Sequence, residues 1–537
     1  MFSGCWMCGK IQIHQCGQDG MQRVYDCRKQ MKVWYLPQIN QSPTSNAVVV
    51  ETMKRSQKLA EESNKSCMVV TYDLAIAKIA LQIQAQEKPV FDNLFISLGS
   101  FHVEKAYFCV IGKLIAESGA PHILNECGAL AVGSINGFIK GKHYNRCKRI
   151  HELLAVSLEI LFFEWFQKSQ NNPDIVPVLQ NELKCISDSP DINRYQHSKE
   201  GNDILERYRD FYEKTLAGDN GKTAQFWCSY ISLMHLYHRY SRSVRTGDLE
   251  GYTNTLLQMA NYFFALNHHN YARWTVKYHD NLLKLKETHP EIYEEFKDGL
   301  FSVKRTKKPF SGSPIDLTLE QTINKDAASQ RIGIAAMTNS ISARQRWAES
   351  HFIRTSILSH VFQEAGMHKK EDVTHGLKKH AIRKDNKTVK DIIYMIKETM
   401  NPFTEDIDSK HLYNIGTGKT APEEVESFLL NVREAGEVQR KKFMNECRQE
   451  PGRFLAKITR QEVSTFATAG TKSKKTDVKR VAACMVRDLF GSILYASVEK
   501  RIDLAEVLKY PLTPVPLSLS CGWYNAENTK IGSDAIS

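Results

Sequence analysis

The sequence predicts an α/β core that is interrupted by a large all-helical insertion and followed by a helical C-terminal region, so that the chain is predominantly helical overall. Three observations carry this expectation. Between Cys67 and Leu114, short apolar runs alternate with longer amphipathic stretches, the pattern of strand, helix, strand, helix. From Phe226 to Tyr240 and from Tyr252 to Leu266, apolar and aromatic residues recur at helical spacing. Beyond residue 360 the chain turns polar and lysine-rich while keeping a helical pattern.

Taken in order, residues 1–30 are compositionally odd. Cys5, Cys8, Cys16 and Cys27 include a single C-x-x-C, whereas structural zinc sites pair two ligand sets at regular spacing. The segment therefore reads as an atypical, disordered N-terminus, truncated or aberrant, and not as a zinc module. Residues 31–149 read as the first part of the core. Val33–Pro37 is a short strand, and Ser42-Pro43-Thr44-Ser45 is a turn that opens a helix from Asn46 to Ser63 with Val48, Val49, Met53 and Leu59 on one face. The run from Cys67 to Val70 is a buried strand that delivers Asp73 at its end. A second apolar run, Asn93 to Leu98, ends at Gly99, and His102 falls in the first turn of the helix that follows. Open α/β sheets place their chemistry at the carboxyl ends of strands, so Asp73 and His102 can share one site.

The glycine-rich stretches around residues 117–123 and 128–146 read as loops, and a helix follows from about Ile150 to Lys168. Residues 150–300 form the all-helical insertion. Residues 301–360 return to the core through Leu300–Val303, a Pro/Ser/Gly turn and a helix holding Glu320 and Asn324, with Glu349 as a competing acidic residue. Residues 361–537 form a basic helical region with an extended tail at Tyr510–Pro516.

Composition bounds the function classes. The chain has 537 residues, enough for two to four domains, and a formal net charge of +12. Basic clusters at Lys304–Lys308, Lys369–Lys390, Arg440–Lys442 and Lys472–Arg480, together with Arg273 and Trp274, suit weak, nonspecific contact with a nucleic-acid backbone. Thirteen scattered cysteines without a signal sequence read as reduced thiols in an intracellular protein, nuclear or cytoplasmic. The longest apolar stretch, Leu153 to Phe163, holds Glu159 and is too short to span a bilayer, so no membrane partner is expected. Ile415-Gly416-Thr417-Gly418-Lys419-Thr420 imitates a phosphate-binding loop, but Tyr413 stands where the first glycine belongs, and nucleotide binding is rejected.

The strand ending in Asp73, the helix after it, and the strand ending two residues short of a histidine resemble the middle of the RNase H-like catalytic domain of Mutator-like and hAT-like DNA transposases. The wording LGSFH, ESGAPHI, GKHYNRCKRIH, NYARW, EQTIN and YPLTPVPLSL resembles, from about Val33 to Leu519, a large group of animal proteins of apparent mobile-element origin. The transposase resemblance implies an RNase H-like core in which Asp73 and a last Glu, matched by Glu320 near Asn324, hold Mg²⁺ for DNA strand cleavage or transfer, with His102 as the motif histidine. Two departures matter. Gly99 stands where the resembled motif has Cys or Asp. The first catalytic Asp belongs on a strand before Val33, where only Asp19 and Asp26 are available and neither follows a clear strand. Asp73 also suits a plain helix N-cap. The expectation is a transposase-derived, catalytically degenerate protein; the alternatives are a non-enzymatic nucleic-acid- or protein-binding scaffold, or a non-functional gene fragment.

Overall fold

The computed structural model describes residues 31, 39, 41–170, 172, 174–188, 196–304, 306, 310–321, 334–367 and 378–469. The cysteines of residues 1–30, Asp19, Asp26, the strand expected at Val33–Pro37, Asn324, the Lys472–Arg480 cluster and the tail at Tyr510–Pro516 lie outside the described residues.

Helix α1 (Asn46–Glu62) buries Val48, Val49, Met53 and Ala60. Strand β1 (Met68–Tyr72) leads directly into helix α2 (Leu74–Gln86), and β2 (Leu94–Leu98) leads into α3 (Ser100–Ile115). The strands are parallel neighbours, paired from Met68 opposite Leu94 to Tyr72 opposite Leu98. Their carboxyl ends therefore open on the same side. Every residue of β2 is buried, whereas those of β1 are half-buried. The run Leu94–Leu98 is apolar but for Ser97, whose buried hydroxyl lies 2.8 Å from the Tyr278 hydroxyl, and this is what a doubly covered parallel strand requires.

The stretches expected as loops after α3 contain helix instead. Gly119, at φ +98°, precedes a short helix, Ala120–Glu126, and a second one covers Ile135–Ile139. Pro121 at the start of the first is compatible with helix because the opening turn has no use for its missing N–H. Gly119 also serves contact: a Cβ there would lie 2.2 Å from Gly416 N. The Gly416–Gly418 segment that imitates a phosphate loop is thus a tight turn docked on Gly119. The Ile415 N–H donates to Ser118 O at 3.1 Å, and Tyr413 bridges Thr420 within the turn.

The next helix begins earlier than the periodicity suggests, as α4 (Tyr144–Gln170). Among the described residues, the stretch up to 300 continues in helices, including α5 (Lys199–Ala217), α6 (Lys222–Thr246), α7 (Leu249–Ala265) and α8 (His269–Leu283), and adds no strand. Their aromatic faces join one hydrophobic cluster with β2 and α3, including Tyr107, Phe108, Trp227, Tyr237, Tyr252 and Phe263. The chain returns through an antiparallel pair of two-residue strands, β3 (Val303–Lys304) and β4 (Gly312–Ser313), into helix α9 (Ile315–Gln321). Helix α10 (Lys379–Thr399) buries Ile392 and Ile396 and lies against α4, where Arg149 pairs with Asp385 and Lys397 with Glu164. Helix α11 (Val432–Gln449) packs closely on α7: a Cβ at Gly436 would lie 2.0 Å from Asn261 O.

The architecture is predominantly helical, with a two-stranded parallel sheet and a two-stranded antiparallel hairpin among the described residues. Among them, no helix is long and apolar enough to cross a membrane. Cys67, Cys109, Cys127, Cys147, Cys185, Cys228 and Cys447 are free thiols.

Candidate functional site

The site begins with the two strand ends. Asp73, immediately after β1, accepts the Ile76 N–H at 3.0 Å and caps α2. The Gly99 N–H donates to Tyr72 O at 2.8 Å, which ties the end of β2 to the end of β1. Gly99 has an ordinary φ of −62°, so its backbone would accept any residue. Space is what demands glycine: a Cβ would lie 2.3 Å from Asp316 Oδ2 and 2.8 Å from Asp316 Cγ. The carboxylate of Asp316, from α9, fills the volume that a side chain at position 99 would otherwise use.

Asp316 is held there by the start of α3. The Phe101 N–H donates to Oδ1 and the His102 N–H to Oδ2, each at 3.1 Å, and His102 Nδ1 lies 2.9 Å from Oδ2. An anion at a helix N-terminus is favoured by the orphan amides and the helix dipole together. Asp316 is 8 % exposed, so these bonds are shielded from water. The hydrogen bond to Asp316 raises the His102 imidazole above its ordinary value. The charges of Asp316 and Asp73 add to this, against burial and Lys105.

Asp73 and His102 line one cleft of about 420 Å³ with Lys78 of α2 and with Asn267, His268, His269, Asn270 and Tyr271 at the start of α8. Burial pushes His268 down to about 4, with Lys113 and His269 acting in the same direction. Burial also lowers His269, aided by Arg460 and Arg273, and neither of its buried ring nitrogens has a hydrogen-bond partner among the described residues. The Tyr271 phenol is raised, first by burial and then by Asp73 and Asp316.

The structure thus brings Asp73 and His102 to one cleft and adds a carboxylate that the sequence reading did not name. Glu320 lies one turn beyond Asp316 on α9 and is exposed. Glu349 ends a separate helix, where it accepts from Gln345 Nε2 at 2.9 Å. Asp316 could have been sought from Gly99 itself: a strand end that lacks its own acidic side chain leaves room for one from elsewhere. An acidic residue in the first turn after Pro314 was available. His268 and His269 stand beside the NYARW wording but carry no spacing signal of their own. Among the described residues, no group of three or more His, Cys, Asp and Glu is placed to hold a metal ion.

Several residues expected on a nucleic-acid surface are structural instead. Arg273 Nη1 donates to Leu455 O at 3.1 Å and Nη2 donates to Ala456 O, while Trp274 is buried against Phe454. Arg440 is buried and donates from Nε to Asn261 Oδ1 at 2.7 Å, and Lys304 is buried in the hairpin.

Fold and cleft together define a predominantly helical protein with a parallel βαβ unit whose two strand ends open into a histidine-rich cleft. The chain belongs to the family described as Domain of unknown function (DUF8702), whose family model matches residues 20–511. No curated protein and no solved structure matches the chain.

Proposed function

We propose that the chain is a transposase-derived protein that keeps one end of an RNase H-like core, has lost its ancestral Mg²⁺-dependent DNA strand cleavage, and acts as a non-enzymatic scaffold that binds nucleic acid weakly and without sequence preference. The parallel β1–β2 pair with Asp73 and His102 at matching ends supports the ancestry. The observation that carries the loss of activity is the engagement of both carboxylates near the cleft. Asp73 caps α2, and the two oxygens of Asp316 accept three N–H groups.

Mg²⁺ demands near-octahedral coordination by oxygen. Around Asp73 the cleft offers the nitrogen groups of Lys78, His102, His268 and His269 and the neutral oxygens of Asn267, Asn270 and Tyr271 but no second carboxylate, and Glu320 stands on the exposed side of α9. These residues do not fit the ion, and in-line displacement at a phosphodiester needs metals held by converging carboxylates.

The test is nicking of supercoiled DNA with Mg²⁺ or Mn²⁺ by the parent protein and by Asp73→Ala and Glu320→Ala. We expect no cleavage above background from any of the three. Robust metal-dependent nicking that both substitutions abolish would overturn the reading.

A further inference from the structure

Helix α10 carries a charge pattern that its packing does not use. Its apolar side, Ile392 and Ile396 with the half-buried Val389 and Ile393, faces the core cluster. At 100° per residue, Lys379, Arg383, Lys387, Lys390 and Tyr394 fall within a stripe about 80° wide on the opposite side. All five are exposed, Tyr394 at 61 %. The ion pairs of this helix, Asp385 with Arg149 and Lys397 with Glu164, lie outside the four stripe cations. At about 1.5 Å per residue the stripe is roughly 22 Å long. A row of cations with no ion-pair partner among the described residues, on a rigid helix and ending in an exposed aromatic ring, is complementary to a regular row of phosphates.

We propose that this face of α10 is the surface on which the protein docks the backbone of duplex DNA, with Lys379, Arg383, Lys387 and Lys390 on phosphates and Tyr394 against a backbone sugar at the end of the row. The proposal rests on the nucleic-acid reading above and gives it a location. It contains no base-reading group, so sequence independence follows from it. It also moves the expected surface away from Arg273, whose guanidinium is engaged by the Leu455 and Ala456 carbonyls, and from Arg440, which is buried.

The experiment measures binding of a 20-base-pair duplex between about 50 and 200 mM salt by fluorescence anisotropy. It compares the parent with Lys379→Gln/Arg383→Gln/Lys387→Gln/Lys390→Gln. A control variant carries the same loss of charge at exposed lysines elsewhere, Lys54→Gln/Lys88→Gln/Lys184→Gln/Lys410→Gln. Each phosphate contact contributes about 0.9 to the slope of log K against log salt. The parent is expected to lose on the order of 100-fold in affinity over this range from four contacts alone. The stripe variant should lose roughly 3 to 4 units of slope while keeping its melting temperature, and the control should keep the parent's slope. Tyr394→Ala should weaken binding several-fold at unchanged slope. A stripe variant that binds like the parent, or a control equally impaired, overturns the location but leaves nucleic-acid binding standing. A parent that ignores DNA but binds phosphatidylserine vesicles through the stripe overturns both.

Discussion

The two strand ends of the parallel pair solve the same problem in opposite ways. At the end of β1 the carboxylate belongs to the next residue in the chain: Asp73 caps the helix that it begins. At the end of β2 the chain supplies Gly99, which has no side chain. The carboxylate at the start of α3 is Asp316, contributed from more than two hundred residues away. Both helices thus begin with an acidic group at their positive end, one built locally and one by tertiary structure. A local cap is a convenience that another residue can replace. A remote one also ties two parts of the fold together, so losing it should cost more.

The largest effect is therefore expected at Asp316. Asp316→Ala removes the acceptor of two main-chain N–H groups and of His102 from a shielded site, and should destabilise the protein by about 3 kcal/mol in urea unfolding. Gly99→Asp should be comparably harmful alone, because the new side chain meets the Asp316 carboxylate. The two changes together should regain part of the loss, since position 99 then supplies the missing acceptor. A double variant no better than the sum of the singles would mean that Asp316 is held for reasons other than its place beside Gly99.

A second carboxyl sharpens the contrast on the β2 side. Glu104 of α3 is buried and accepts the Tyr144 O–H. Burial is the main cause pushing it up to about 7, against Tyr144, Lys148 and Arg245. In the folded protein it thus holds its proton where the unfolded chain, near 4.5, has released it. Its contribution to stability should be full below about 4.5 and be lost as pH rises toward about 7. At roughly 1.4 kcal/mol per unit, the displacement is on the order of 3 kcal/mol. Glu104→Gln should flatten this part of the stability-against-pH curve. An unchanged slope would assign it to other groups.

The same contrast explains what was legible in the sequence. The order β1, α2, β2, α3 could be read because each signal is local: an apolar run, a capping acid, a helical period. The helix Ala120–Glu126 was hidden by its glycine and proline, which mark a loop and a helix start alike. Glu320 rather than Asp316 stood out because family wording and i, i+4 spacing favoured it, and neither reports which turn of α9 meets α3. Arg440 and Lys304 counted as surface charge because composition says nothing about burial, and Arg273 because it says nothing about hydrogen-bond partners. The pairing of Gly99 with Asp316 is a tertiary fact, and one sequence holds only its vacancy.

The smallest effects belong to the β1 side. Asp73→Ala removes a side-chain cap from α2 and should cost about 1 kcal/mol. Asp73→Ser keeps an oxygen able to accept the Ile76 N–H and should lie within a few tenths of a kilocalorie per mole of the parent. The Ser variant separates two roles for this residue. If Asp73 serves only as a cap, Ser restores stability to near the parental value, while Ala lowers stability alone and leaves duplex binding unchanged. If its charge also acts on the cleft, Ser still restores stability, but the His102 imidazole titrates lower than in the parent, because Asp73 is one of the charges that raise it. Histidine titration by NMR in the parent and the two variants decides between them: equal His102 curves in all three confine Asp73 to its cap, and a shift shared by Ser and Ala shows that its charge reaches His102 across the cleft.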